Sequence, residues 1–195
     1  MALGACRMER LADKPAGYAV KIELAEGHGS GVHIGGGYIL TAAHVAAKAE
    51  EGKIVVKLDN GRTIDADLLW VNAGYDVALL RIPEADKIAV ADLSCRDPAL
   101  HSTIVGYGNP LAMEFLSTRG EVVSTNRKFG PWKEVYIVDQ TIVMGMSGGP
   151  AIQNGHVVGI MVGVVAAPTS AGDGSVIGIG SVVPGSAICM LMGRT

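Results

Sequence analysis

Hydrophobic residues along this chain fall in short runs, and none sustains the three-and-four spacing of a long amphipathic helix. Tyr18–Leu24 alternates enough to predict a first strand. Gly31–Ile34 and Tyr38–Ala42 predict two more, around a tight hairpin at Gly35-Gly36-Gly37. Val45–Ala49 reads as a single helical turn. Ile54–Leu58 and Thr63–Val71 flank Asp59-Asn60-Gly61, a strong hairpin signal. Val77–Ile82 is continuously apolar, as in a buried strand. Pro83–Pro98, rich in charge and proline, predicts a connector between two halves. Beyond it the style repeats. Ser102–Tyr107, Leu116–Thr125, Glu134–Val138, Ala151–Gln153, His156–Val165 and Val176–Val183 predict strands, with Asn154-Gly155 as a hairpin turn and Ala187–Met192 as a short closing helix. Many short strands with no helical period predict an all-β fold of two packed antiparallel barrels. The expected division is a lead over 1–16, a first barrel over 17–98 and a second over 99–195.

Composition agrees. Hydrophobic residues make up 49% of 195 positions, enough for a sizeable core, and aromatics only 5%, so aliphatic side chains must fill it. The 27 glycines suit tight turns. A net charge of −3 argues against a general nucleic-acid binder. The basic group Arg127, Lys128 and Lys133 near Trp132 is small and reads as a solvated hairpin.

Candidate chemistry lies in three segments, Ile39-Leu40-Thr41-Ala42-Ala43-His44, Tyr75-Asp76-Val77-Ala78-Leu79-Leu80 and Gly145-Met146-Ser147-Gly148-Gly149-Pro150. They supply, in order, a histidine, an aspartate and a serine among glycines. A serine hydroxyl needs a base within hydrogen-bond reach, and histidine titrates in the useful range. The three segments in this order resemble the chymotrypsin-like serine endopeptidases. The resemblance implies two six-stranded barrels, with His44 and Asp76 on the first, Ser147 on the second and the active site in the cleft between them. By the same resemblance His44 is the general base, Asp76 orients it and Ser147 is the nucleophile. The N–H groups of Gly145 and Ser147 would form the oxyanion hole, and no cofactor is implied.

Further segments are similar to one branch of that family, the HtrA/Deg type. They are Gly106-Tyr107-Gly108-Asn109-Pro110, Ser117–Ser124, Val138-Asp139-Gln140-Thr141-Ile142 and Val176–Pro184. The likeness runs over roughly residues 17–185, and only about ten residues follow, so control by a C-terminal PDZ sensor is not expected. Met146 departs from the family pattern. It cannot form the ion pair that an acidic residue there makes with a newly cut N-terminus. Activation by N-terminal cleavage is therefore not expected, and any switching falls to the loop Val143–Gly145.

Aligned through the serine, Thr141 and Ile142 fall at the primary pocket. Val162, Gly163 and Val164 fall on the strand that would pair with an extended polypeptide substrate. With no carboxylate at the floor, a narrow neutral pocket for small or aliphatic residues is expected.

His28, His33, His101 and His156 form no metal-ligand pattern, so no metal is expected. Cys6, Cys95 and Cys189 show neither metal nor Cys-x-x-Cys spacing, and a disulfide-rich extracellular protein is disfavoured. Leu3-Gly4-Ala5-Cys6 resembles a lipobox without its hydrophobic lead. The chain as written therefore reads as cytoplasmic, bacterial or phage-encoded. Membrane attachment through a lipidated Cys6, as in an envelope lipoprotein, would need an upstream segment. Oligomerisation is left open.

Overall fold

A computed structural model describes residues 17–49, 54–83, 85, 87–168 and 174–194. The lead over 1–16, with Cys6, lies outside the described residues.

The first half is a closed six-stranded barrel. Its strands are β1 (Ala19–Glu23), β2 (His28–His33), β3 (Tyr38–Thr41), β4 (Ile54–Lys57), β5 (Thr63–Asn72) and β6 (Val77–Arg81), paired in the order β1-β2-β3-β6-β5-β4 and closed by β4 on β1. Alternation along β1 and β4 turns Val20, Ile22, Ile54 and Val56 inward, all at most 1% exposed. Such burial is the main stabilising term of a small barrel. Between β3 and β4 lies a one-turn helix, α1 (Ala43–Ala46), entered through Ala42 in extended conformation.

The second half contains β8 (Thr103–Gly108), β9 (Leu116–Val122), β10 (Arg127–Phe129), β11 (Trp132–Asp139), β12 (Pro150–Gln153), β13 (His156–Pro168) and β14 (Gly174–Pro184), preceded by the short β7 (Asp92–Leu93) in the connector. Six of these strands form a ring. The sheet runs β11-β14-β13-β12-β8-β9 and returns through Val138↔Val122 and Asp139↔Glu121. The expected second six-stranded barrel is thus present. The strand pattern had missed two appendages, β10 hairpinned onto β11 and β7 lying parallel to β13. β7 has only two residues, too few to show alternation. The chain closes with α2 (Gly185–Leu191).

The halves share a core. Val135, Ile152, Val157, Ile160, Val162 and Ile188 of the second half join the apolar cluster of the first barrel, while Ile104, Tyr136, Ile142, Met146 and Met161 fill the second ring. His33, expected to be explained by packing or exposure, is 1% exposed. Its Nε2 accepts the Gly37 N–H at 3.3 Å, so its Nδ1–H donates to the Ala89 carbonyl at 2.9 Å and ties the connector to the barrel. Cys95 and Cys189, whose spacing showed no motif, form a disulfide between the connector and α2. They stand 94 residues apart, and no local pattern announces such a pair.

Candidate active site

His44 is the second residue of α1, and Asp76 ends the turn through Gly74-Tyr75, immediately before β6. β3 and β6 are neighbours, with Thr41 paired to Ala78, and this register brings the two ends together. Asp76 Oδ2 lies 2.7 Å from His44 Nδ1, and Asp76 Oδ1 accepts the His44 backbone N–H at 2.8 Å. One carboxylate thus fixes both the ring and the start of the helix. Asp76 adopts φ of 60°, a left-handed conformation that aspartate tolerates better than most residues and that is concentrated at functional sites. Its carboxyl is 6% exposed. Burial alone would raise its pKa. Hydrogen bonds from the His44 ring, the Trp132 indole and the His44 backbone outweigh that, and hold it below the ordinary carboxylate value. The His44 side chain remains 42% exposed, accessible to a reactant.

Ser147 comes from the loop between β11 and β12. Its carbonyl accepts the Ser30 N–H of β2 at 2.8 Å. Gly148, at φ of 87°, presses on the Ser30 carbonyl, the Thr41 hydroxyl and the Ala42 amide, where any Cβ would collide. Ala42 is the residue before α1, so the serine turn is seated against the element that carries His44. Among the described residues, no hydrogen bond joins the Ser147 hydroxyl to His44.

The loop before Ser147 is held by Ser30 and His28 of the first barrel together with Asn109 and Leu111, which follow β8. Gly145 has φ of 95° and abuts the Asn109 carbonyl and the His28 ring. Its own carbonyl accepts the Ser30 hydroxyl at 2.7 Å. That hydroxyl also receives the Asn109 N–H at 2.9 Å and its Nδ2 at 3.0 Å, and His28 Nε2 donates to the Asn109 carbonyl at 2.8 Å. The Met144 carbonyl takes the Leu111 N–H at 2.9 Å, and the Met146 N–H donates to the Val143 carbonyl at 3.0 Å. Met146 itself is fully buried in the second ring, where an acidic side chain would need a charged partner. With these groups engaged, the N–H groups of Gly145 and Ser147 form no hydrogen bond among the described residues. Two unpaired donors beside a serine can stabilise a developing oxyanion.

The expected pocket residues separate. Ile142 is 1% exposed, and its Cδ1 occupies the space a Cβ on Gly180 would need. Val164 pairs with Gly180 and packs on the same cluster. These two and Gly180 make a narrow apolar wall, whereas Val162 is buried in the cluster of the first barrel. Thr141 is exposed and instead borders a polar hollow of about 430 Å³ with Thr103, Arg119, Glu121, Asp139 and Gln140. A second hollow of about 240 Å³ adjoins His44 and Asp76, and is lined by Ala43, Ala47, Val71, Ala73, Pro131 and Trp132. No cluster of metal-binding side chains occurs among the described residues.

Residue-by-residue reading of the sequence missed Ser30, His28, Asn109 and Trp132. Asn109 stood inside a quoted motif, but its task is set by a partner 79 residues away. One signal for Trp132 was available. Gly163 interrupts a β-branched run, and a glycine inside a strand marks close approach by another group.

A family model described as trypsin-like peptidase domain matches residues 29–160. The periplasmic pH-dependent serine endoprotease DegQ of Escherichia coli is 33% identical over 181 residues, covering 89% of this chain and 37% of that protein. A probable periplasmic DegP-like endoprotease of Halomonas elongata is 33% identical over 78% of this chain and 33% of its own length. The chain therefore spans about a third of the curated relatives it matches. Among solved structures, the HtrA-type protease AlgW with a tripeptide superposes with a TM-score of 0.79 at 26% identity, over 92% of this chain and 60% of that one. The serine endoprotease from Yersinia pestis gives 0.74 at 28%, over 92% of this chain and 63% of that one.

Proposed function

Since the chain belongs to the trypsin-like peptidase family, we propose that it is a serine endopeptidase in which His44, Asp76 and Ser147 form the catalytic triad. The observation that carries this reading is the 2.7 Å contact between His44 and an Asp76 held ionised, beside the seat of the serine turn. Ser147 Oγ bonds to the substrate carbonyl carbon as its proton passes to His44 Nε2. The carbonyl oxygen takes up the electron pair and is met by the N–H groups of Gly145 and Ser147, each worth about 3–4 kcal/mol of barrier. Collapse breaks the C–N bond, and the His44 proton leaves on the amine. Water, deprotonated by His44, then bonds to the acyl carbon, the C–Oγ bond breaks, and His44 returns the proton to Ser147 Oγ. Asp76 stays ionised throughout and stabilises the imidazolium.

The substrate is a polypeptide in extended conformation, paired along Gly163 and Val164. That the related AlgW structure is with a tripeptide supports a peptide ligand. The narrow wall of Ile142, Val164 and Gly180 favours a small or aliphatic residue before the cut, with Thr141 at the margin. Location is read from two facts. The Escherichia coli and Halomonas elongata relatives are described as periplasmic, and Cys95–Cys189 is a bond that oxidising compartments preserve. An extracytoplasmic site thus takes precedence over the cytoplasmic expectation. No helix among the described residues is long and apolar enough to cross a membrane.

The test is fluorophosphonate labelling near pH 8, read by intact mass with Ser147→Ala as control. One adduct, lost in the variant, is expected. The unbonded Ser147 hydroxyl favours a second reading, a latent relative that holds peptides without cutting them. A folded, unlabelled protein would decide for it.

A further inference from the structure

We infer that Trp132 is a positioning residue for the His44–Asp76 pair, its indole N–H reaching across from the second ring to set how the carboxylate meets the imidazole. This rests on the peptidase reading above.

Asp76 has two oxygens and three donors. Oδ1 takes the His44 backbone N–H, while Oδ2 is shared between His44 Nδ1 at 2.7 Å and Trp132 Nε1 at 3.0 Å. A carboxylate held at one oxygen can still rock. Three donors in fixed directions leave it one orientation. The third must come from outside the first barrel, because the hollow around the pair is lined there by Ala43, Ala47, Val71 and Ala73, whose side chains donate nothing. Val162, on the strand beneath the indole, cannot donate either. An indole N–H is neutral and never an acceptor, so it stays a donor at every working pH.

The indole is built into place. Lys133, the next residue, donates its N–H to the Gly74 carbonyl at 2.8 Å and sets its ammonium 5.7 Å over the Tyr75 ring. Gly74 and Tyr75 are the two residues before Asp76, so the hairpin grips the turn that carries the carboxylate. Phe129 stacks on Trp132 with centroids 6.5 Å apart. From below, Gly163 offers a bare backbone, and a Cβ there would stand 2.5 Å from Trp132 Cη2. A glycine in β13 and a tryptophan in β11 thus form one fitted pair.

The experiment uses the whole chain as wild type, Trp132→Phe, Gly163→Ala and the double variant. Phenylalanine keeps an aromatic ring but lacks the N–H and the outer ring. Three quantities are read, namely the fluorophosphonate labelling rate, kcat and KM on a peptide, and the downfield proton resonance of His44 Nδ1–H. The small probe does not fill the peptide subsites, so its rate reports the triad. For Trp132→Phe, labelling and kcat are expected to fall about 10- to 100-fold with KM within about threefold, and the resonance to shift. Gly163→Ala, which displaces the indole, should slow labelling in the wild type but add nothing to Trp132→Phe. If Trp132→Phe does not fold, Gly163→Ala alone decides by the same rate and resonance. Wild-type labelling and an unmoved resonance in the folded variant would overturn the inference. If the wild type itself is not labelled at Ser147, the peptidase reading falls instead, and the resonance still decides whether Trp132 orients the pair.

Discussion

The two barrels hold their parts of the site in different ways. In the first, His44 and Asp76 sit at the ends of adjacent strands and bond directly to each other, so the local sheet register is enough to join them. In the second, the Ser147 loop takes its shape from across the interface. Ser30 fastens the carbonyl of Gly145 and is braced by Asn109 of the second half, His28 holds the Asn109 carbonyl, and Gly148 lies flat against Thr41 and Ala42. The first barrel is therefore both a carrier of two residues and a mould for the third. Where an acidic residue could have held this loop through an ion pair, buried Met146 anchors it in the core and neutral hydrogen bonds set its path. A loop held in this way depends on the seam between barrels for its path, whereas the His44–Asp76 contact is made within one barrel and takes only the Trp132 N–H from across the seam.

That contrast can be broken most severely at Gly148. Alanine there would meet three backbone and hydroxyl atoms of the first barrel at a left-handed φ. A loss of about 2–4 kcal/mol in denaturant titration and no probe labelling are expected. Ser30→Ala separates the halves more finely. It leaves the buried Asn109 N–H and one Nδ2 hydrogen without an acceptor, while the other stays on the Val20 carbonyl, at a cost of about 1–3 kcal/mol. Labelling of Ser147 should slow about 10- to 100-fold as the oxyanion loop loosens. The downfield His44 proton should stay where it is, and a shift would mean the pair depends on the Ser30 latch as well as on Trp132.

The disulfide lies outside both devices. Cys95→Ser with Cys189→Ser should lower stability by about 2–4 kcal/mol while the folded protein labels at the wild-type rate. The smallest effect is expected at Glu114, which reaches from the β8–β9 loop to Lys21 and Lys57 at 2.7 and 2.8 Å. Hydrogen bonds from these lysines hold its carboxyl below the ordinary 4.5. Its contribution is thus complete above that value and is lost as pH falls through the depressed one. Because the groups are partly exposed, Glu114→Gln should cost less than about 1 kcal/mol near neutrality and flatten the acid side of the stability–pH curve.

Trp132 and Met146 show where reading the sequence succeeds and where it stops. Met146 could be read as departing from an ion-paired loop because the glycines and serine around it fix its position in the motif. Trp132 could not, because its partners, Asp76 and Gly163, lie 56 residues before and 31 after it. In a hairpin beside Lys128 and Lys133, the indole looked like part of a solvated tip. The strand pattern worked for the same reason the motifs did, since alternation and turn chemistry act within a few residues. It located the hairpin strands, but β13 and β14 run beyond the expected His156–Val165 and Val176–Val183, β9 stops short of Thr125, and neither β10 nor β7 was counted.

The sequence by itself determined the all-β architecture, the family and the three residues proposed for catalysis, because each is written in a local frame. Only the tertiary structure decided what surrounds them. The closure of the second ring, the Cys95–Cys189 bond, the Ser30–Asn109 latch and the indole on Asp76 all depend on distant segments meeting. Their physical cause is the packing of one barrel on the other, which brings donors, acceptors and bare glycine backbone into register that no short stretch of chain can specify.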